Sequence, residues 1–303
     1  MFDPLYIQQA KLLLRCLPEI KKHACFALKG GTAINLFFRP MSRLSVDIDL
    51  TYLPLSNRET ALADIARTME AIKHDILKRI VGARVQSSRG TVNAGKLVVS
   101  LDNVHIKIEP NQILRGSVYA TETRDLCAEA QSLFELFVSA QTLSLADVYG
   151  GKLCAALDRQ HPRDLYDVRL LLASEGLTPQ IRRAFVVYLA SHHRPMNELL
   201  APKFKNIAKT YADEFAGMAR EEVPLESLCE TREQLVRQIR HDLDANEKRF
   251  LLSVKRGEPD QDALGIPHLL ELPALQWKIR NINRMDDAKR HSALAKLEQA
   301  LAQ

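Results

Sequence analysis

Residues 26–53 read FALKGGTAINLFFRPMSRLSVDIDLTYL, and the order of patterns within them decides the fold. CFALKG, residues 25–30, is a short apolar run closed by Gly30 and Gly31, which predicts a strand running into a glycine turn. Thr32 then precedes AINLFF, an N-cap residue type ahead of a helix over roughly residues 33–38. Beyond it Val46, Ile48 and Leu50 alternate with Ser45, Asp47, Asp49 and Thr51, the two-residue period of a strand with one buried face. The other face of that strand is acidic.

Working outward, residues 5–22 place Leu5, Leu12, Leu13, Cys16, Leu17 and Ile20 at helical spacing, an amphipathic opening helix. Residues 57–80 are again helical, and GARVQSS, GKLVVSLD and VHIKIEPN read as three consecutive strands, with a further short strand expected around residues 133–138. After Ser144 only helical patterns appear, including SLADVYGGKLCAALDRQ, PRDLYDVRLLLAS and TPQIRRAFVVYLAS. The expected class is α+β, with a mixed α/β sheet domain over residues 1–142 and an all-helical domain over 143–303. Residues 254–273 hold three of the thirteen prolines and read as a long ordered loop before a last helical stretch.

Composition narrows the functional classes. The 303 residues are 46% hydrophobic and 26% charged, a globular balance that excludes disorder and fibre. A formal charge of +5 is too mild for wholesale nucleic-acid coating and leaves room for one basic patch. The longest run without Asp, Glu, Lys or Arg is residues 136–146, too short for a membrane span. Charge is interleaved from the first residues, unlike a secretory signal, so a cytoplasmic location is expected. The scattered Cys16, Cys25, Cys127, Cys154 and Cys229 fit neither a disulfide framework nor a zinc ribbon. No HExxH, GxSxG or GK[ST] Walker loop is present, which disfavours zinc proteases, serine hydrolases and P-loop enzymes. His192 and His193 read as surface residues pointing apart on a helix.

Asp47 and Asp49, two apart on one strand face, place their carboxylates about 6–7 Å apart, where they can converge on hard cations. An isolated DxD is more often a solvated acidic face, but two acids on a short strand repel and require a cation or basic group nearby. Gly30, Gly31 and Thr32 free backbone N–H groups at a helix start, an anion cradle. Cradle and acids in this order are the pairing that a magnesium-bound nucleoside triphosphate demands. Glu109, on the polar side of VHIKIEPN, is a candidate third carboxylate or a plain strand-end acid. Lys152 falls on the apolar face of its helix with Leu145, Val148, Tyr149, Ala155 and Ala156, so its ammonium needs an anion, either by snorkelling out or by pointing at phosphate. Gly150 and Gly151 beside it imply a close backbone approach. Arg163 and Asp167 read as an i, i+4 pair, with Asp167 close enough to Val168 and Leu171 for a partly desolvated, general-base role.

FALKGGTAINLFF with RLSVDIDL, then GGKLCAALDR, RDLYDV and LPALQWKIRNI, in that order over nearly the whole chain, resembles the AbiEii/AbiGii toxin family of nucleotidyltransferases, to which the MenT toxins are similar. The resemblance implies a nucleotidyltransferase domain joined to a helical domain, with the active cleft between them. It implies transfer of a nucleoside monophosphate, with Mg²⁺ and a triphosphate such as CTP, to an RNA acceptor, the transfer-RNA 3′ end in the MenT branch. It also implies a cognate antitoxin, and some members serve in phage defence. Ser45, Asp47 and Asp49 match the family's SxDxD strand, Gly30, Gly31 and Thr32 its preceding turn, Lys152 its lysine and Asp167 its downstream acid; Glu109 matches no family motif. On that pattern Asp47 and Asp49 hold the metal, Lys152 neutralises triphosphate charge, Asp167 orients Lys152 or a hydroxyl, and Arg163 touches phosphate or RNA. For RNA, Lys278, Arg280 and Arg284 after Trp277 in the terminal helix, and Lys203, Lys205 and Lys209, are expected phosphate contacts, or else solvated helix faces. Two other readings stand beside this one: the same chemistry on a protein or small-molecule hydroxyl, and an idle binding module whose acids meet a partner's basic surface.

Overall fold

The computed structural model describes residues 2–87 and 95–302. These divide into two compact units, Met1–Val148 with Ala216–Glu222, and Tyr149–Phe215 with Val223–Gln303. In the first unit α1 (Pro4–Lys21) begins on Asp3, whose carboxylate accepts the Leu5 N–H, with Pro4 in the first turn. Its buried stripe, including Leu13, Leu17 and Ile20, packs against the sheet. The strands are β1 (Phe26–Lys29), β2 (Asp47–Tyr52), β3 (Arg84–Ser87), β4 (Leu97–Leu101), β5 (Val104–Asn111), β6 (Glu122–Asp125) and β7 (Ser139–Thr142). They form one seven-stranded sheet in the order β3-β4-β5-β2-β1-β7-β6. β2 lies between β1, antiparallel, and β5, parallel. Ile48 and Leu50 of β2 and Ile106 and Ile108 of β5 are buried, each contributing about 2 kcal/mol by removal from water. That burial fixes register, so the acids of β2 fall on the opposite face.

Three further helices belong to the unit: α2 (Gly30–Ala33), α3 (Arg58–Arg79) and α4 (Ala128–Phe134). Two expectations change. The helix after β1 starts at Gly30, with Lys29 as N-cap, and continues as a π-helical turn over Ile34–Phe38. Thr32 therefore lies inside the first turn and does not cap it; its hydroxyl is drawn instead to the main chain of β2. The expected strand at residues 133–138 is the end of α4 and a turn through Glu135, whose φ is 51°. The true edge pair, β6 with β7, reads ETRD and SAQT, and buries too little apolar surface to leave a period-two signal. Residues 216–222 return to this unit, where Leu44 N–H donates to Met218 O (3.0 Å) and Arg220 N–H to Ser42 O (2.9 Å).

The second unit is helical: α5 (Leu145–Asp158), whose first turn belongs to the first unit, α6 (Pro162–Ala173), α7 (Pro179–Ser191), α8 (Met196–Leu200), α9 (Ala208–Glu214), α10 (Leu225–Asp242), α11 (Ala245–Arg256), α12 (Pro273–Asn283) and α13 (Asp287–Ala302). α11 runs to Arg256 and stops at Gly257, so the loop expected from residue 254 begins later and is interrupted by a 3-10 turn at Leu269–Glu271. Trp277 lies on α12, which is not the terminal helix. α7 ends at Ser191, so His192 and His193 do not point apart on a helix; their rings stack with centroids 4.4 Å apart. Burial of His192 pushes its imidazole down to about 4.

Candidate active site

Within the first unit the glycine turn and the acidic strand form one structure. Gly30 has φ +70°, and a methyl group built on it would collide with the Asp49 carboxylate, so that carboxylate lies directly against the turn. Thr32 Oγ1 donates to the Asp47 carbonyl (2.5 Å) and sits 2.9 Å from Ser45 Oγ. One hydroxyl thus ties the first helical turn to the strand on both sides of Val46. Gly30, Gly31, Thr32, Ser45, Asp47 and Asp49 are brought together as a group.

The flanking strands temper the acid pair. Lys29 of β1 is in register with Asp49, and Lys107 of β5 with Asp47, which places cations on both neighbours of the acidic face. Glu109 is in register with Asp49, but its carboxylate forms an ion pair with Lys96. Among the described residues no three of His, Cys, Asp and Glu gather into a metal-binding group. Asp47 and Asp49 themselves are half-buried and stand two residues apart on β2.

Sequence reading missed Arg43. It is buried, and its guanidinium lies against Gly31, where an added methyl carbon would come within 2.5 Å of Nη2. Its Nη1 donates to Leu44 O (2.9 Å), its backbone N–H to Asn35 Oδ1 (3.3 Å), and Asn35 Nδ2 donates to Gly31 O (3.1 Å). An arginine two residues before Ser45, between Ser42 and Leu44 on the approach to the strand, was the signal. Asp147 was also missed; it accepts from Val118 N–H, Tyr119 N–H and Ser144 Oγ, tying a loop to the start of α5.

The remaining predicted residues belong to the second unit. Lys152 of α5 is buried, and its ammonium lies 2.8 Å from Asp164 Oδ1 and 2.9 Å from Asp167 Oδ2, both on α6. The anion that the apolar face calls for is supplied by these two carboxylates. Asp164, the acid in the first turn of α6, is the hub: Arg159 grips it through Nε (2.5 Å) and Nη2 (2.9 Å). Burial alone would raise the Asp164 carboxyl, but the charges of Lys152 and Arg159 overcome that and hold it well below the ordinary range. The four groups balance as two cations against two anions. The expected Arg163–Asp167 pair does not form, because Asp167 turns inward to Lys152 while Arg163 turns to Glu214 at 3.7 Å. Gly150 makes the close approach predicted for it, 2.8 Å from an added carbon to the backbone of Ala184 and Phe185 in α7; Gly151 meets nothing within 4 Å.

Of the expected basic contacts, Lys278 is withdrawn from solvent, donating to His192 O (2.7 Å) and Arg194 O (2.9 Å), and burial pushes its amine down to about 8. Lys205 donates to Asp158 O and Lys209 pairs with Asp213, so the 203–209 stretch is largely engaged within its own unit.

A family description, nucleotidyl transferase AbiEii toxin of type IV toxin–antitoxin systems, matches residues 11–281. No curated protein matches the chain. Among solved structures, MenT4, a nucleotidyltransferase toxin from Mycobacterium tuberculosis H37Rv, aligns over 97% of this chain and 92% of its own with a TM-score of 0.60. Identity over that alignment is 18%, so the likeness is one of fold. No helix of the described residues is long and apolar enough to cross a membrane.

Proposed function

The chain belongs to the AbiEii nucleotidyltransferase toxin family of type IV toxin–antitoxin systems, and from that premise we propose that it moves a nucleoside monophosphate from a magnesium-bound triphosphate to an RNA acceptor and so blocks translation. The family carries an antitoxin as partner. The transfer-RNA 3′ end and CTP are the acceptor and donor that the family resemblance implies.

Asp47 and Asp49 fit the metal. They are hard oxygen donors on one strand face, half-buried, and Mg²⁺ usually takes only one or two carboxylates, completing its shell with phosphate and water. A third protein carboxylate is not required, which suits a Glu109 already paired with Lys96. When bound, the ion would neutralise phosphate charge and acidify the attacking hydroxyl. The chain's own groups do the rest. Backbone N–H groups of Gly30 and Gly31, together with the Ser45 hydroxyl, hold phosphate oxygens at the helix start. The acceptor hydroxyl oxygen forms a bond to the α-phosphorus as the α–β bridge breaks; pyrophosphate leaves and the hydroxyl proton passes to solvent. In the second unit Lys152 and Asp167 are the lysine and acid of the family pattern, with Asp167 orienting the Lys152 amine, and Arg163 is the residue set to contact phosphate or RNA.

The observation that carries this reading is the Gly30 turn set against the Asp49 carboxylate and pinned through Thr32 to Asp47 and Ser45. It is tested by incubating the protein with total cellular RNA and protein and each of four α-labelled triphosphates in turn. Label in RNA, absent without Mg²⁺ and absent for Asp47→Ala, is the expected result. Label confined to protein or small molecules would refute the RNA acceptor, and undiminished labelling by the variant would refute the site.

A further inference from the structure

We infer that the exposed face of α12 is a docking surface for single-stranded nucleic acid, on which Trp277 stacks against a base while Arg280 and Arg284 hold phosphates. The three residues stand at i, i+3 and i+7, one face of the helix. Trp277 is 55% exposed, and both arginines are exposed with no side-chain hydrogen bond or ion pair among the described residues. The helix, PALQWKIRNIN, contains no carboxylate. The acids that follow it are engaged, Asp286 by Lys289 and Asp287 by Arg290, and Glu271 ahead of it is the nearest other acid in sequence. The two guanidinium groups, neither in an ion pair among the described residues, therefore place positive charge on the same face as an aromatic ring, the combination that tracks a polyanion with stackable bases.

The platform is held firmly from beneath. Lys278, on the opposite side of the helix, clamps it to the end of α7 through two carbonyl oxygens, and Leu275 and Ile282 are buried. Asn283 Nδ2 donates to Gly257 O at the far end (3.4 Å). A protein partner would be drawn to a cluster of exposed apolar side chains. Trp277 is instead the one large apolar residue exposed between α10 and α13 among the described residues, and Gln276, Arg280, Asn281 and Arg284 surround it in sequence. The Lys203, Lys205 and Lys209 stretch makes a useful contrast, since two of its amines are already bound within the protein. That the docked strand is also the acceptor rests on the transferase reading; the docking itself does not.

Trp277 is the chain's single tryptophan, so its fluorescence reports this face alone. Full-length protein is titrated with an unstructured oligouridylate and no nucleotide, following tryptophan emission and, with a labelled strand, anisotropy. Binding should quench the emission. Trp277→Leu should weaken affinity about tenfold, the loss of one stacked base. Arg280→Gln with Arg284→Gln should weaken it at least about tenfold and reduce the salt slope by about 1.4, two single-strand phosphate contacts. Asp47→Asn should bind like the parent, which separates failure of this surface from failure of the transfer chemistry. Binding without quenching, variants with parental affinity and salt slope, or quenching by duplex RNA but not by the single strand would each overturn the proposal.

Discussion

Asp164 shows how much a single buried side chain can decide. Its carboxylate is fully buried and bonds both Lys152 and Arg159, so removing it takes away one of the two carboxylates that hold the buried Lys152 ammonium. Breaking one partner out of a buried ionic group costs about 3–5 kcal/mol. Asp164→Ala should therefore lower the unfolding free energy from urea titration at neutral pH by up to that amount, and a value equal to the parent's would contradict the tetrad. The pH dependence has a definite sign. A carboxyl held below its unfolded value adds stability above about pH 4, and that contribution fades as pH falls further, so parent and variant should converge in acid. In the first unit, Gly30→Ala would place a methyl group against Asp49 at a backbone angle that L residues avoid. A loss of about 1–2 kcal/mol is expected, together with a loss of metal-dependent nucleotide binding. Retained binding in a folded Gly30→Ala protein would show that the Asp49 carboxylate need not sit where the turn holds it.

At the scale of elements, α5 carries two adjacent glycines with different reasons to be there. Gly150 faces the backbone of α7 at a distance no side chain tolerates, whereas Gly151 faces open space. Gly150→Ala should push the two helices apart and destabilise by about 1–3 kcal/mol, while Gly151→Ala should stabilise by roughly 0.5–1 kcal/mol through helix propensity alone. Thermal melts of the two variants check this, and shifts of the same sign would contradict the packing. Elements with strong periodicity were legible in advance. α1, α3, β2 and β5 fall where apolar spacing placed them, because burial of a stripe or a face leaves a repeating mark. β6 and β7 did not show, since an edge pair made of ETRD and SAQT leaves almost none. The π-helical turn at Ile34–Phe38 was hidden for another reason: its residues are as apolar as an α-helix requires, and the widening is set by tertiary contacts such as the Cys127 N–H on Leu36 O.

For the whole molecule, the residues that local patterns reveal are those whose neighbours are close in sequence. Gly30 with Thr32, and Asp47 with Asp49, could be read as motifs, while the link between them, through the Thr32 hydroxyl and the Asp47 carbonyl, could not. Asp164 looked like an ordinary first-turn acid because its partners, Lys152 and Arg159, come from the preceding helix and its end. The return of residues 216–222 to the first unit was invisible for the same reason, its bonds to Ser42 and Leu44 spanning most of the chain's middle. The central claim concerns β2: its two aspartates hold a divalent cation that recruits a nucleoside triphosphate. Calorimetric titration of the intact protein with each of the four triphosphates, with and without Mg²⁺, tests it most directly. The account predicts metal-dependent heat with at least one triphosphate, lost in folded Asp47→Asn and Asp49→Asn proteins; no metal-dependent heat with any of the four, or unchanged heat in both variants, would contradict it.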